Sequence, residues 1–470
     1  MLKIIFLLSN SINGNNLNLI HLNLLWDEKL SSLNDKARKT AMSLILEGIE
    51  AADPFSAVSS FLSKEKNRLL EGIEGSIYVV GAGKATGGMA KAVESILTDR
   101  IKGGVIAIPE ELTREISLSK IKVFGSTHPK PSEKSVRAGK AIIDTVKEAG
   151  EEDLVIALFS GGGSALADYP ADAISIEEIS EVSVALMNSG ADIFELNTVR
   201  KHLSLFKGGW LAKHASPSKV VCLMISDVVG DKMDTIASGP TVPDPTTFRD
   251  AIGVLKKYRL LDKVSSSVRN YLEKGAKNEA PETPKPGDPI FKNVTNRVIA
   301  SNILSLEAMR RKALDMGYHA LILTAFLEGE AREVGKVIAG IAKEVKRTGN
   351  PIPPPAVVLT GGETTVTVRG KGRGGRNQEL ALSAAMSIEG LYGVAIASVG
   401  SDGRDGPTDV AGAIVDGETV RKAKERGLDP YRFLSDNNSY EFFKAVGGHV
   451  KTGYTGTNVN DLIVIVVEKT

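Results

Sequence analysis

The chain has 470 residues, enough for two or more domains with full-sized cores. Its hydrophobic content of 42% and charged content of 24% are those of an ordinary globular protein. A net charge of +1 excludes the basic excess of a general nucleic-acid binder, and a single cysteine, Cys222, excludes an internal disulfide or a cysteine-based zinc site.

Residues 1–30 begin MLKIIFLLSNSINGNN, with one lysine and a short apolar run from Ile4 to Leu8. An asparagine-rich stretch stands where a signal peptide would carry a small-residue cleavage site. The segment reads as a poorly specified extension. No run reaches the ~18–20 apolar residues of a membrane span. Cys222 lies inside the run VVCLMI, which suits a buried, inert thiol in a reducing, cytoplasmic setting.

From residue 31 onward, short aliphatic runs alternate with helical patterns. The runs are IYVV (77–80), VIAI (105–108), LVIALF (154–159), VVCLMI (220–225), LILT (321–324), VVLT (357–360), VAIASV (394–399) and LIVIVV (462–467). Apolar runs without period-two alternation predict strands buried on both faces of largely parallel sheets. Ser175 and Glu178 form an S-x-x-E capping box, followed by Ile179, Val182 and Leu186 on one helix face. The class is α/β, Rossmann-like. The segment KGAKNEAPETPKPGDPIF (274–291) carries four prolines and reads as a linker. It divides the chain into an N-terminal α/β domain, 31–285, and a C-terminal one, 286–470. The second proline cluster, NPIPPPA (350–356), reads as a loop entering a strand of the second domain.

Function is signalled by the residues directly beyond the strands. Five strands run into GAGKATGG, SGGGSA, SDVVGDKMD, GGETT and GSDGRDGPTD. Ligands of open α/β sheets bind beyond the carboxyl ends of strands. Five glycine-rich, polar strand ends therefore point to one large polar site. In SGGGSA, bare amides of Gly161, Gly162 and Gly163, with the hydroxyls of Ser160 and Ser164, suit an anion at a loop leading into a helix. GAGKATGG (Gly81, Gly83, Lys84) misses the dinucleotide spacing but places a lysine inside the turn. Arg373 and Arg376 in GKGRGGRNQE offer guanidinium forks for phosphate or carboxylate. LNTVRKHLSLFKGG puts Asn197 and Lys201 one helical turn apart, while His202 reads as a hydrogen-bonded structural histidine. Asp227, Glu363, Asp402 and Asp409 supply carboxylates, and Mg²⁺ takes only one or two of these while keeping its waters. Asp231 and Asp405 read equally as turn residues. The common phosphate-binding, kinase and metalloprotease motifs are absent from the sequence.

The motifs VVGAGKA, FSGGGSAL, LNTVRKHLS, SDVVGD, SGPTVPDPTTF, TGGETTV, GGRNQELALS, GSDGRDGPTDVAGA and GYTGTNVNDL, in that order, resemble the class II glycerate kinases, whose C-terminal part is the MOFRL domain. The likeness spans roughly residues 36–470. It implies two α/β domains with the active site in the cleft between them. It also implies ATP- and divalent-metal-dependent phosphorylation of D-glycerate at the 2-hydroxyl. The family's lysine and arginine fall on Lys84 and Arg376. Asp227 is then the candidate to orient the hydroxyl or take its proton, and Asp402, Asp409 or Glu363 the candidate metal ligands. SGGGSA would hold the glycerate carboxylate or a nucleotide phosphate. The expected partners are glycerate and nucleotide, not nucleic acid or membrane, with a homodimer as the candidate assembly. Some relatives carry the label hydroxypyruvate reductase, so an NAD(P)-linked reductase is the rival, and a non-catalytic sugar-acid or sugar-phosphate sensor the second.

Overall fold

A computed structural model describes residues 33–469. The extension read at residues 1–30 lies outside them. Two six-stranded sheets organise the chain.

The first sheet contains β1 (Ile77–Ala82), β2 (Ile101–Pro109), β3 (Ile121–Ser126), β4 (Leu154–Phe159), β5 (Lys219–Ile225) and β6 (Val294–Ala300). Its order is β3-β2-β1-β4-β5-β6, with every neighbouring pair parallel. β1 and β4 are buried along their whole lengths, which is why their sequences carry no polar alternation. The strand order reverses between β1 and β4. That topological switch point opens a crevice beyond their carboxyl ends. GAGKA leaves β1 there and SGGGSA leaves β4 beside it.

The second sheet contains β7 (His319–Leu327), β8 (Ala356–Gly362), β9 (Val394–Gly400), β10 (Gly412–Asp416), β11 (His449–Val450) and β12 (Asp461–Val467), ordered β11-β10-β9-β12-β8-β7. The α/β class holds, but this sheet is mixed. Only β7 and β8 pair in parallel; β12 runs antiparallel to both β8 and β9, and β10 to β9 and β11. Every residue of β8, β9 and β12 is buried. Burial on both faces erases the alternation that would betray an antiparallel strand, so the apolar runs report depth and not direction. Helices cover both faces. Ala331–Thr348 and Arg376–Ser387 pack on one, Leu33–Ala51 and Asn302–Asp315 on the other.

Sheet membership moves the division expected at residue 285/286. β6 hydrogen-bonds along β5, and Ser226 N donates to Ala300 O at 2.9 Å, so the first sheet extends to residue 300. The helix Leu33–Ala51, earlier in the chain, belongs to the core of the second. The proline-rich segment is a strap sewn onto the first domain. Asp244 N donates to Pro284 O at 2.9 Å, Thr283 Oγ1 to Asp244 Oδ2 at 3.1 Å, and His202 Nε2 lies 3.0 Å from Glu282 Oε1. Proline density marks where ladders stop, not where a sheet ends. The capping box forms as read. Ser175 and Glu178 each accept the other's main-chain N–H ahead of the helix Ile176–Asn188. NPIPPPA leads into β8.

Candidate active site

Two turns meet at the switch point. Lys84 N donates to Gly161 O at 2.9 Å, Ala85 N to Ser160 Oγ at 3.0 Å, and Gly83 N to Ala107 O at 3.1 Å. The main-chain donors of GAGKA are thereby spent inside the fold and are not offered to a pyrophosphate. The N–H groups of Gly161 and Gly162 differ: among the described residues neither makes a hydrogen bond. The Lys84 ammonium likewise has no hydrogen-bond or ion-pair partner among the described residues and is only partly buried. Gly162 sits at φ +83°, and a Cβ built there would lie 3.4 Å from Lys84 Cγ and 2.9 Å from His128 Cδ2. The lysine stem and the imidazole thus flank two unpaired amides, a concavity suited to an anion.

Asp227 closes the floor. A Cβ at Gly161 would meet Asp227 Oδ2 at 2.0 Å, so only glycine admits the carboxylate there. Burial raises the Asp227 pKa to about 6. Its own amide and the Lys84 charge oppose the shift, and the Glu363 charge adds to it. Gly161→Ala is expected to push the two apart, costing about 1–3 kcal/mol by overpacking and displacing Asp227 from the loop. A fall in turnover larger than the fall in thermal stability is the check; unchanged turnover would remove this contact from the site.

Glu363 comes from the second domain, at the end of β8. It accepts Arg376 Nη1 at 2.8 Å, so the field on Asp227 spans the cleft between the domains. Arg376 opens the helix Arg376–Ser387 and is gripped from behind. Nε donates to Asp461 Oδ2 at 2.7 Å and Nη2 to Asp461 Oδ1 at 3.0 Å. Asn377 Nδ2 reaches the same Asp461 oxygen at 2.8 Å. Burial opposes the Arg376 charge, but the Asp461 carboxylate outweighs it and holds the guanidinium above its usual pKa. Asp405 accepts the Asn377 and Gln378 amides at 3.0 and 2.9 Å. It caps this helix, so the helix start is not itself an anion site.

The sequence-derived residues separate into two tiers. Lys84, Gly161, Gly162 and Asp227 meet in the first domain and Glu363 pairs with Arg376 in the second, with the Glu363 charge acting on Asp227. Ser160 does not face the crevice as expected: it is 1% exposed and its hydroxyl ties down Ala85. Gly81 lies within β1, and Gly81 and Gly83 permit close strand and turn packing instead of contacting a ligand. Gly163 opens a helix of four residues, Gly163–Leu166, too short for the dipole expected of SGGGSA. Ser164 Oγ pairs with Ser238 Oγ at 2.8 Å, which donates to Asn197 Oδ1 at 3.0 Å. Asn197 and Lys201 share a helix face, but both are buried behind the loop, and Lys201 is tied to Asp234 at 3.1 Å and Asp244 at 3.6 Å. His202 is structural: its Nδ1–H donates to Thr198 O at 2.7 Å.

The carboxylates read as metal ligands are not gathered. Among the described residues no three His, Cys, Asp or Glu side chains converge as a metal-binding group. Asp409 is engaged by Tyr440 at 2.6 Å and Lys451 at 3.2 Å, which hold its pKa down near 2. Glu363 is engaged by Arg376. Among the described residues the Asp402 carboxylate accepts only the Arg404 amide, at 3.0 Å. It acts electrostatically on Tyr454 together with Glu111 and Glu115 of the first domain, and so stands at the cleft.

Two site residues escaped the sequence reading. His128 comes just after β3, an edge strand whose sequence, IKVFGS, lacks a continuous apolar run. Its side chain is solvent-accessible, yet desolvation of the ring against its neighbours and the Lys84 charge lower its pKa to about 4, so the ring is neutral at pH 7. Asp461 begins β12. Because β12 is antiparallel, its start pairs with Gly362 and Gly400, the ends of β8 and β9. A search confined to the ends of strands passes it by.

Two family models match the chain, one over each sheet. Residues 40–273 match a domain of unknown function, DUF4147, and residues 356–461 match the MOFRL family. The chain is 45% identical to the glycerate 2-kinase of Pyrococcus horikoshii over 92% of this chain and 97% of that one. It is 41% identical to a putative hydroxypyruvate reductase of Agrobacterium vitis over 92% of this chain and 95% of that one. The crystal structure of glycerate kinase from Thermotoga maritima superposes with a TM-score of 0.84 at 41% identity, covering 92% of this chain and all 100% of that one. The chain belongs to the MOFRL-domain glycerate kinase family. No helix among the described residues is long and apolar enough to cross a membrane.

Proposed function

We propose that the protein is a cytoplasmic ATP-dependent glycerate kinase that phosphorylates the 2-hydroxyl of D-glycerate. The observation that carries this reading is the chain of contacts and fields from Lys84 through Asp227 and Glu363 to Arg376, which joins the two domains around the unpaired Gly161 and Gly162 amides. Phosphoryl transfer asks for alignment and charge neutralisation more than for covalent help. The Gly161 and Gly162 amides and Lys84 grip one anionic group, and Arg376 meets the other from the opposite domain. Asp227 takes the proton as the glycerate oxygen bonds to the γ-phosphorus. The bond from that phosphorus to the β-phosphate oxygen breaks and ADP leaves. Neutral His128, whose side chain is solvent-accessible, would offer a ligand a hydrogen bond without adding charge.

The donors fit a hard cation of the Mg²⁺ type, which needs only one or two carboxylates. Asp402, free of any cationic side-chain partner among the described residues, would hold it directly or through water. Such an ion would neutralise charge on the nucleotide phosphates.

The NAD(P)-linked reductase has the weaker support, because the GAGKA amides are consumed within the fold. Incubating the protein with glycerate and either ATP–Mg²⁺ or NAD(P)⁺ decides between them. ADP release is expected; reduced-nicotinamide absorbance without ADP would overturn the kinase reading. NMR of the product separates 2- from 3-phosphoglycerate, and calorimetric ATP binding separates a kinase from a sugar-acid sensor.

As a base, Asp227 works only when ionised. Its raised pKa places the acid limb of kcat/KM near pH 6, with activity lost below it and a plateau above. Asp227→Asn is expected to lower kcat by roughly 10²–10⁴-fold and to remove that limb, with little change in ATP affinity. A variant that keeps the limb takes the base role from Asp227.

A further inference from the structure

Arg376 is held between two carboxylates of unlike character. Asp461 is 1% exposed, takes two N–H groups in parallel, and is also held by Asn377. Glu363 has a side chain 46% exposed and takes one N–H, at Nη1. The bidentate edge of the fork therefore faces inward, and the single remaining contact faces the cleft. A carboxylate on that outer corner occupies a place where a ligand anion would bind.

Resting on the reading that Arg376 receives a substrate or nucleotide anion, we infer that Glu363 is an exchangeable placeholder and Asp461 a fixed anchor. The incoming anion displaces Glu363 from Nη1, while Asp461 keeps the guanidinium plane in position. Glu363 is then a specificity residue. A weakly held anion must compete with it, so simple phosphate is disfavoured, whereas a substrate fixed by Lys84 and the Gly161–Gly162 amides displaces it. Asp461 is a positioning residue that acts through Arg376. The two carboxylates touch one guanidinium, yet removing their charges has opposite consequences.

The probe is inorganic phosphate, titrated calorimetrically into the full-length protein without divalent cation. A half-exposed ion pair is worth up to about 1 kcal/mol, so Glu363→Gln is expected to tighten phosphate binding about two- to fivefold. The gain shrinks as salt screens the pair. Asp461→Asn is expected to weaken phosphate binding and to lower kcat more than it changes the glycerate KM. Phosphate binding unchanged or weakened in Glu363→Gln overturns the placeholder role. A shift of both variants in the same direction overturns the division between anchor and placeholder. Unimpaired turnover in Arg376→Ala would instead sink the proposed function itself, so the two failures are distinguishable.

Discussion

Replacing Arg376 by alanine is expected to lower kcat by on the order of 10³-fold, the scale at which a positioned arginine serves a phosphoryl-transfer transition state. Stability falls with it. Asp461 is 1% exposed and would lose both guanidinium hydrogen bonds. Breaking a buried ion pair from one side costs about 3–5 kcal/mol, since a charge is left without its partner. Turnover must therefore be normalised to folded protein. The double variant Arg376→Ala with Asp461→Asn removes the orphaned charge, and is expected to recover stability but not activity. Recovery of both would mean that Arg376 serves the fold alone. Arg376→Lys keeps a charge but not the planar fork, so it is also expected to lose most of the rate.

Replacing Lys84 by alanine is expected to cost a similar factor in kcat, on the order of 10³-fold, with almost none of the penalty in stability. Its ammonium has no ion-pair partner among the described residues, so its removal orphans nothing. Substitutions of that kind stay within about 0.5 kcal/mol. The main-chain bond from Lys84 N to Gly161 O is untouched by the side-chain change. The pairing of a lost rate with an unchanged melting temperature marks a residue that acts on ligand. Near-native turnover in Lys84→Ala would remove it from the mechanism.

The two variants also show which parts of the site could be read from sequence. Lys84 and Arg376 stand in glycine-rich stretches at chemically conspicuous places; Lys84 lies beside Gly162, and Arg376 pairs with Glu363, whose charge acts on Asp227. Residues nearby in sequence were harder to sort. Ser160 and Gly161 are neighbours, yet Ser160 turns inward to Ala85 while Gly161 bares its amide beside Asp227. That difference is one of tertiary packing, which periodicity does not encode. Lys201 reads as a ligand-facing cation on helical spacing alone, and its pairing with Asp234 and Asp244 depends on a loop more than thirty residues away in sequence.

At the level of the fold, each of the eight apolar runs forms part of a strand. The four strands without such a run are β3 and β6 at the two edges of the first sheet, and β10 and the two-residue β11 at one side of the second. Edge strands are partly wet, so polar residues interrupt them: β6 reads VTNRVIA and β3 reads IKVFGS. Missing β3 hid His128. Taking the second sheet as largely parallel hid Asp461, because the first residue of an antiparallel strand lies at the same end as the last residues of its neighbours.

The central claim is that one bound anion-bearing substrate pair is clasped by Lys84 of the first domain and Arg376 of the second. A crystal structure with glycerate and a non-hydrolysable ATP analogue tests it most directly. The expected result has ligand oxygens within hydrogen-bond distance of the Gly161 and Gly162 amides, of Lys84 Nζ and of Arg376 Nη1, with Asp227 at the 2-hydroxyl. Ligands seated elsewhere, with Lys84 and Arg376 both left untouched, would contradict it.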